Sequence, residues 1–185
     1  MFNEKQKLRQ HCKNIRKNLD INSISKKIID NLFFLDEFKK TLNVFSYISF
    51  GTEVDTKRIL ELKEKNIFVP KIKNEKIIMC KYDKSNLNKN KYGILEPINE
   101  EIKIPKKNDI IIVPAIAADK NFSRLGYGGG YYDRYLKNTN SVLVILLPSA
   151  LFLENIPIEK HDVKCDYIIT EKEILKNTNS VLTKM

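Results

Sequence analysis

The residues best suited to chemistry lie in one glycine-rich stretch, SRLGYGGGYYDRYL, at positions 123–136. Four of the chain's six glycines fall within residues 126–130, between an apolar segment and a helical pattern. Because glycine has no side chain, backbone N–H groups can approach an anion there, and a helix beginning near Gly129 would add unpaired N–H groups and its dipole. One interpretation is a phosphate-binding loop formed by Gly126, Gly128, Gly129 and Gly130, and the other is a simple tight turn.

This stretch matches neither standard nucleotide-binding motif. It lacks the Gly-Lys-Ser/Thr ending of a P-loop, and its glycine spacing differs from the dinucleotide fingerprint. Asp133 falls in the first turn of the predicted helix, where a carboxylate either complements the helix dipole or holds a divalent cation beside a phosphate. The residues alone leave both roles open for Asp133.

The first predicted helix, residues 5–19, carries a second candidate group. Its apolar residues recur at helical spacing, and a neighbouring basic stripe consists of Lys5, Arg9, Lys13 and Arg16. Lys5 and Arg9 are four residues apart and share a helical face, so both could converge on one polyanion. The alternative is an ordinary solvated basic face.

A third candidate, Glu53, lies in a loop between a predicted strand and a predicted helix. The strand is NVFSYIS, residues 43–49, and Asp55 could cap a helix that runs to Leu62. A glutamate in this position is either an ordinary acid at a helix start or a carboxylate directed at a ligand.

These candidates need a scaffold that brings distant loops together. A second helix is predicted over residues 23–40, and apolar runs predict strands at 67–71, 77–82, 110–115, 142–147 and 167–170. Residues 84–107 are polar and rich in Lys and Asn, which indicates a surface excursion. We therefore expect a single layered α/β domain over residues 1–185, with a largely parallel sheet flanked by helices and its sites at the carboxyl ends of strands.

Composition narrows the partners and the compartment. The chain has 33 Lys and Arg against 23 Asp and Glu, a formal net charge of +10, which favours an anionic partner and leaves nucleic acid as a rival to small phosphates. Its three cysteines are scattered and lack CxxC spacing, so we expect neither a disulfide framework nor a zinc site, and we expect a cytoplasmic location. No apolar run approaches the length of a membrane span, so no membrane partner is expected.

Four segments together resemble one enzyme family. The stretch RLGYGGGYYDRYL is similar to the signature RLGxGxGYYDxxL of the 5-formyltetrahydrofolate cyclo-ligase family. Three further segments agree in the family's order: KQKLR at residues 5–9, TEVDT at 52–56 and HDVKCDYIITE at 161–171. The resemblance spans nearly the whole chain, although residues 71–107 carry little of it.

The resemblance implies an ATP- and Mg²⁺-dependent ligase that cyclises 5-formyltetrahydrofolate to 5,10-methenyltetrahydrofolate and releases ADP and phosphate. It implies that ATP is contacted by Lys5, Arg9, Arg124, Leu125, Gly126, Tyr127, Gly128, Gly129, Gly130, Tyr131 and Tyr132. It further implies folate contacts from Ile48, Glu53, Tyr127 and Tyr131, and a Mg²⁺ site at Asp133 and Asp162. A carboxylate at Glu53 could accept hydrogen bonds from pterin N–H groups. No covalent nucleophile is required, and His161 is given no catalytic role.

One departure and two rival functions remain. Some members of the family carry Lys where this chain has Gly129, so any cationic role there must fall to Lys5, Arg9, Arg124 or the metal.

A basic nucleic-acid-binding protein is one rival function, and it would show strongly salt-sensitive binding. Another small-molecule phosphotransferase would release a phosphorylated product instead of free phosphate. The oligomeric state is not encoded in these patterns, and a monomer is our expectation.

Overall fold

A computed structural model of the protein describes residues 2–159 and 162–178, so His161 lies outside the described residues. The helices are α1 (Phe2–Lys17), α2 (Ile21–Phe34), α3 (Asp36–Lys40), α4 (Lys57–Leu60) and α5 (Tyr131–Leu136), with a 3₁₀ turn at Ser149–Leu151. The first six strands are β1 (Asn43–Phe45), β2 (Asn66–Lys73), β3 (Lys76–Lys81), β4 (Leu87–Lys89), β5 (Leu95–Pro97) and β6 (Ile110–Val113). The other six are β7 (Ala117–Asp119), β8 (Arg124–Leu125), β9 (Val142–Leu146), β10 (Phe152–Leu153), β11 (Tyr167–Ile169) and β12 (Ile174–Lys176).

Seven strands form the main sheet, in the order β12-β11-β9-β6-β1-β2-β3. The five inner strands run parallel to one another, and the edge strands β3 and β12 are antiparallel to their neighbours. The largely parallel sheet predicted from the apolar runs is therefore confirmed. Smaller sheets of order β10-β7-β8 and β4-β5 lie outside it.

Helices cover both faces of the main sheet, as the continuous burial of strands such as β6 and β9 requires. On β6, Ile111 and Val113 join a core cluster that includes residues of α1 and α5. Ile110 and Ile112, on the opposite face, join a second cluster with residues of α2, α3 and α4. The result is the predicted layered α/β arrangement; that residues 1–185 form a single domain stays a prediction.

The strand order reverses between β1 and β6, which are neighbours in the sheet. The chain leaves β1 towards β2 on one side and leaves β6 towards β9 on the other. Where two such connections diverge, the carboxyl ends of the strands border a crevice, the usual ligand site of an open α/β sheet. The loop after β1 contains Glu53, and the segment after β6 leads to the glycine stretch.

The predicted second helix, residues 23–40, is wrong as a continuous element. Leu35 is extended, with φ −65° and ψ 125°, and separates α2 from α3. This break lets Leu35 and Phe38 both pack into the second core cluster. The helix also starts two residues early, at Ile21, because the Asp20 side chain accepts a hydrogen bond from the Ser23 N–H.

The polar excursion over residues 84–107 contains the hairpin β4-β5, which the sequence did not predict. Its turn is held by Asn90, whose side-chain oxygen accepts from the N–H groups of Tyr92 and Ile94. Within the described residues, no helix is both long enough and apolar enough to cross a membrane.

Candidate active site

The glycine loop, residues 126–130, connects β8 to α5. Gly128 and Gly130 have φ values of 103° and 64°, in the left-handed region that favours glycine. Gly130 takes the N-cap position of α5, so the helix begins at Tyr131 and the predicted start near Gly129 is wrong. Because α5 has only six residues, its dipole would add little to anion binding at this loop.

Gly129 has a more local requirement. A Cβ atom on this residue would lie 2.8 Å from Cδ2 of Tyr131, closer than real side chains approach. A lysine here, as in some members of the family that the sequence resembles, would need the Tyr131 ring to move. The position of the Tyr131 ring in this structure therefore requires glycine at position 129.

Arg9 of α1 lies against the glycine loop, as the spacing of the basic stripe allowed. Its Nε atom donates to the Gly126 carbonyl at 2.8 Å. A Cβ atom on Gly128 would lie 3.5 Å from the Arg9 Cζ atom, an ordinary contact distance, so glycine is favoured there by its φ of 103° and not by lack of space. Arg9 is only partly buried and thus stands beside the loop with part of its surface open.

Lys5 shares the helical face of Arg9 but lies in a different environment. Its side chain is buried, with Nζ 2.8 Å from Asp162 Oδ2 and 3.2 Å from Glu159 Oε1. The structure therefore brings a predicted phosphate contact together with a predicted metal ligand. A phosphate would have to compete with two carboxylates for Lys5.

Arg124 is likewise held in an ion pair with a carboxylate. Its Nη2 atom is paired with Asp133 Oδ1 at 2.5 Å, and Nη1 donates to the Pro114 carbonyl at 3.2 Å. Its Nε atom is buried without a hydrogen-bond partner among the described residues. Arg124 thus joins the base of the glycine loop to α5 through Asp133, while its neighbour Leu125 is fully buried in the core.

The two aspartates do not form a preformed metal centre. Among residues 2–159 and 162–178, no group of three or more His, Cys, Asp or Glu side chains could hold a metal ion. Each aspartate is instead paired with a cation, Asp133 with Arg124 and Asp162 with Lys5. Such carboxylates fit Mg²⁺ only if a phosphate ligand and water supply most of the oxygen atoms, which is how this ion is commonly bound.

Glu53, in the loop after β1, faces the glycine loop across the crevice. Its Oε2 atom accepts from the Phe50 N–H at 2.9 Å. Burial raises the pKa of the Glu53 carboxyl, and hydrogen bonding with Tyr127, the Phe50 N–H and the charge of Arg16 oppose that rise. A partly desolvated carboxylate with spare acceptor capacity is suited to N–H donors of a ligand.

The remaining predicted contacts pack on the core near the crevice. Ile48 lies against the second core cluster, and Tyr131 and Tyr132 lie against the first. The Tyr132 hydroxyl is buried without a hydrogen-bond partner among the described residues, and burial raises its pKa. Tyr127 is 46 % exposed, with its hydroxyl turned towards Glu53. How these tyrosines divide ligand contacts stays a prediction.

Arg16 is a candidate site residue to which reasoning from local patterns assigned no role. It lies in the last turn of α1, is 3 % exposed and contacts both the segment after β6 and Tyr127. The spacing of Arg16 from Arg9 could have indicated a shared site, because a residue seven positions after Arg9 lies two turns further along the same helical face.

Comparison with known proteins identifies the relatives of this arrangement. A sequence model of the 5-formyltetrahydrofolate cyclo-ligase family matches residues 1–171. The chain is 32% identical to a probable 5-formyltetrahydrofolate cyclo-ligase of Schizosaccharomyces pombe, over 84% of this chain and 85% of the relative. It is 29% identical to the 5-formyltetrahydrofolate cyclo-ligase of Haemophilus influenzae, over 86% and 94% respectively.

Solved structures agree with the sequence comparison. The NMR structure of Aquifex aeolicus 5,10-methenyltetrahydrofolate synthetase superposes with a TM-score of 0.83 at 34% identity, covering 93% of this chain and 92% of that one. A 5,10-methenyltetrahydrofolate synthetase from Mycoplasma pneumoniae has the same fold, with a TM-score of 0.71 at 22% identity over 91% and 99% of the two chains.

Proposed function

The chain belongs to the 5-formyltetrahydrofolate cyclo-ligase family, and from that premise we propose how its residues cyclise 5-formyltetrahydrofolate to 5,10-methenyltetrahydrofolate. The observation that carries the proposal is the crevice at the strand reversal, where the glycine loop and Glu53 face each other. An anion-binding loop opposite a carboxylate provides for a nucleotide and a pterin side by side. The enzyme is a ligase that forms a C–N bond and consumes ATP.

The chemistry explains why ATP is consumed. The formyl group on N5 is amide-like and a poor electrophile, so N10 cannot close the ring until the formyl oxygen becomes part of a leaving group. Transfer of the γ-phosphoryl group to that oxygen releases ADP. N10 then attacks the formyl carbon, its proton is lost, and the C–O bond breaks to release phosphate. The protein positions the two substrates and neutralises charge, without a covalent nucleophile.

At the ATP end we assign phosphate contacts to the backbone of the glycine loop and to Arg9. Arg9 is best placed, because it lies on the loop and is only partly buried. Lys5 and Arg124 complete the cationic surroundings but are held by Asp162 and Asp133. Their first role is to shape the site, and phosphate contact requires an exchange of partners.

We assign Mg²⁺ to Asp133 and Asp162, together with the phosphates of ATP. Either carboxylate would exchange its present cation for the metal, and the released Arg124 or Lys5 would then be available to a phosphate. When bound, the ion neutralises charge on the phosphates. The pairing of both acids with candidate phosphate contacts supports this exchange.

At the folate end we assign the pterin to Glu53, with Ile48 and the rings of Tyr127 and Tyr131 around it. A carboxylate accepts hydrogen bonds from the amino and ring N–H groups of a pterin. The Phe50 N–H bond fixes one oxygen of Glu53, so the carboxylate is oriented before the ligand arrives. Support for this role comes from its place at the crevice opposite the glycine loop.

The direct experiment mixes purified protein with 5-formyltetrahydrofolate and Mg-ATP and follows the absorbance of the methenyl product. We expect product, ADP and free phosphate in equal amounts, and no product without ATP. A phosphorylated organic product with no new ring would identify another phosphotransferase. Folded protein that makes neither would overturn the proposal.

The partners we propose are folate and ATP, with a monomer as the form and the cytoplasm as the compartment. The three cysteines are buried and widely separated in sequence, which supports a reducing compartment. The nucleic-acid alternative loses support because Lys5, Arg16 and Arg124 are buried, so part of the positive charge is not available to a surface ligand.

A further inference from the structure

Arg16 is a buried cation that joins two elements of the crevice. Its Nη2 atom donates to the carbonyls of Ala115 at 2.7 Å and Ile116 at 2.8 Å. Both carbonyls belong to the segment that leaves β6 at the strand reversal. These two bonds fix the end of α1 to the floor of the crevice and would suffice for a purely structural role.

A third bond extends Arg16 into the glycine loop. Its Nη1 atom donates to the Tyr127 hydroxyl oxygen at 3.2 Å, although Tyr127 is 46 % exposed and is not held by the core. Because a guanidinium has no acceptor, the tyrosine oxygen must accept this bond and keeps its own proton for another partner. The Glu53 carboxylate lies close enough to this hydroxyl for the two groups to shift each other's pKa, which makes it the candidate acceptor of that proton.

We propose that Arg16 is a positioning residue of the folate site: it holds the Tyr127 hydroxyl against Glu53, so that the carboxylate is oriented and charged before the pterin binds. The inference rests on the proposed role of Glu53 in folate binding. It makes α1, which contributes Arg9 to the ATP end, also a support for the folate end. One helix thus couples the two halves of the crevice.

The charges around Glu53 give this idea a specific pH signature. Four groups face it: Tyr127 from the glycine loop, Arg16 from α1, Tyr132 from α5 and Tyr47 from the segment after β1. The tyrosines are neutral near pH 7, so Arg16 supplies the positive charge among them. Burial raises the pKa of Glu53 and Arg16 lowers it, so loss of Arg16 raises this pKa further. Folate binding needs the charged carboxylate. The acid limb of the pH dependence of folate binding should therefore move to higher pH when Arg16 is replaced.

The test measures the Kd of 5-formyltetrahydrofolate against pH, in the absence of ATP, for Arg16→Met, Tyr127→Phe and the double variant. We expect each single change to weaken folate binding about tenfold at pH 7 and the double change to cost little more, because both remove one chain of hydrogen bonds. Arg16→Met should also shift the acid limb to higher pH. Arg16→Lys keeps the charge without the guanidinium fork, so it should weaken binding with a smaller shift.

Lys17→Met is the matched control, because it removes one positive charge from the neighbouring, exposed position of the same helix. Its folate Kd and acid limb should equal those of the wild type. A thermal melt of every variant accompanies the titrations, and if Arg16→Met does not fold, Arg16→Lys and Tyr127→Phe carry the test.

Fully additive losses, or an unmoved acid limb in Arg16→Met, would show that Arg16 only anchors α1. A wild type that binds no 5-formyltetrahydrofolate would overturn the proposed function together with this inference. Normal wild-type binding with unchanged variants would overturn this inference alone.

Discussion

The Nζ atom of Lys5 lies 2.8 Å from Oδ2 of Asp162, across 157 positions of sequence. Arg9, one turn further along the same helix, instead contacts the Gly126 carbonyl and stays partly open. Two cations that look equivalent in the helical pattern therefore occupy different environments. Their replacement should have separable effects.

Lys5→Met should mainly lower stability. It removes the buried cation that Asp162 and Glu159 share, and breaking a largely buried ion pair costs about 3 kcal/mol. Arg9→Met should leave the free energy of unfolding within about 1 kcal/mol of the wild type but weaken ATP binding by about 1.5 to 3 kcal/mol, the value of a hydrogen bond to a charged group. Urea unfolding and ATP titration of both variants check this. The same loss of stability from both changes would contradict the distinction.

Asp133→Asn and Asp162→Asn should raise the Mg²⁺ concentration needed for half-maximal activity at saturating ATP. Each change keeps the shape but removes a charge that the metal would use. Both variants should also melt earlier, because Arg124 loses its ion pair with Asp133 and Lys5 loses the shorter of its two carboxylate contacts. Asp30→Asn is the control, since it removes only the exposed pair with Arg58 and should alter neither value appreciably. An unchanged Mg²⁺ midpoint in both variants would leave the aspartates as ion-pair partners alone.

Glu53→Gln should weaken folate binding and slightly stabilise the protein at pH 7. The lost acceptor charge should cost about 1.5 to 3 kcal/mol of folate affinity, with ATP affinity unchanged. The pKa of Glu53 is raised by burial, so the folded protein is destabilised by its charge above that pKa and regains this stability as the pH falls. The gain in melting temperature should therefore be present at pH 7 and disappear in acid. A Glu53→Gln variant less stable than the wild type at pH 7 would argue against a carboxylate charge that is destabilised by burial.

Gly130→Ala should lower stability by about 1 to 2 kcal/mol and also weaken ATP binding. Its φ of 64° is unfavourable for alanine, and the added Cβ would lie 2.9 Å from Arg134 Nη1. Gly51→Ala is a matched control, because Gly51 has nearly the same φ of 63° but open space around it and lies outside the glycine loop. It should show the backbone cost without a change in ATP affinity. Equal ATP affinities for the two variants would remove the glycine loop from the nucleotide site.

The sequence predicted the inner strands well, because β6 and β9 are continuous apolar runs and such runs report burial on both faces. The break at Leu35 could not be predicted, since nothing in the local pattern distinguishes it from the helical residues on either side. It arises from packing of α2 and α3 on the sheet. The hairpin β4-β5 was missed because its polar residues lack the alternation that marks a strand.

Parts of the candidate site could also be predicted from the sequence. The glycine loop and the shared face of Lys5 and Arg9 follow from local spacing, which a sequence displays directly. The pairing of Lys5 with Asp162, and the contact of Arg16 with Tyr127, join residues more than 100 positions apart. Only the fold brings such residues together, so their pairing lay beyond local patterns.

The strand reversal between β1 and β6 has a consequence for how this enzyme can diversify. The two loops that border the crevice start from adjacent strands but return to opposite flanks of the sheet. An insertion or deletion in the loop that carries Glu53 therefore need not alter the register of the segment that leads to the glycine loop. Under the proposed roles, the loop that carries Glu53 can change in length while the backbone assigned to the phosphates keeps its place.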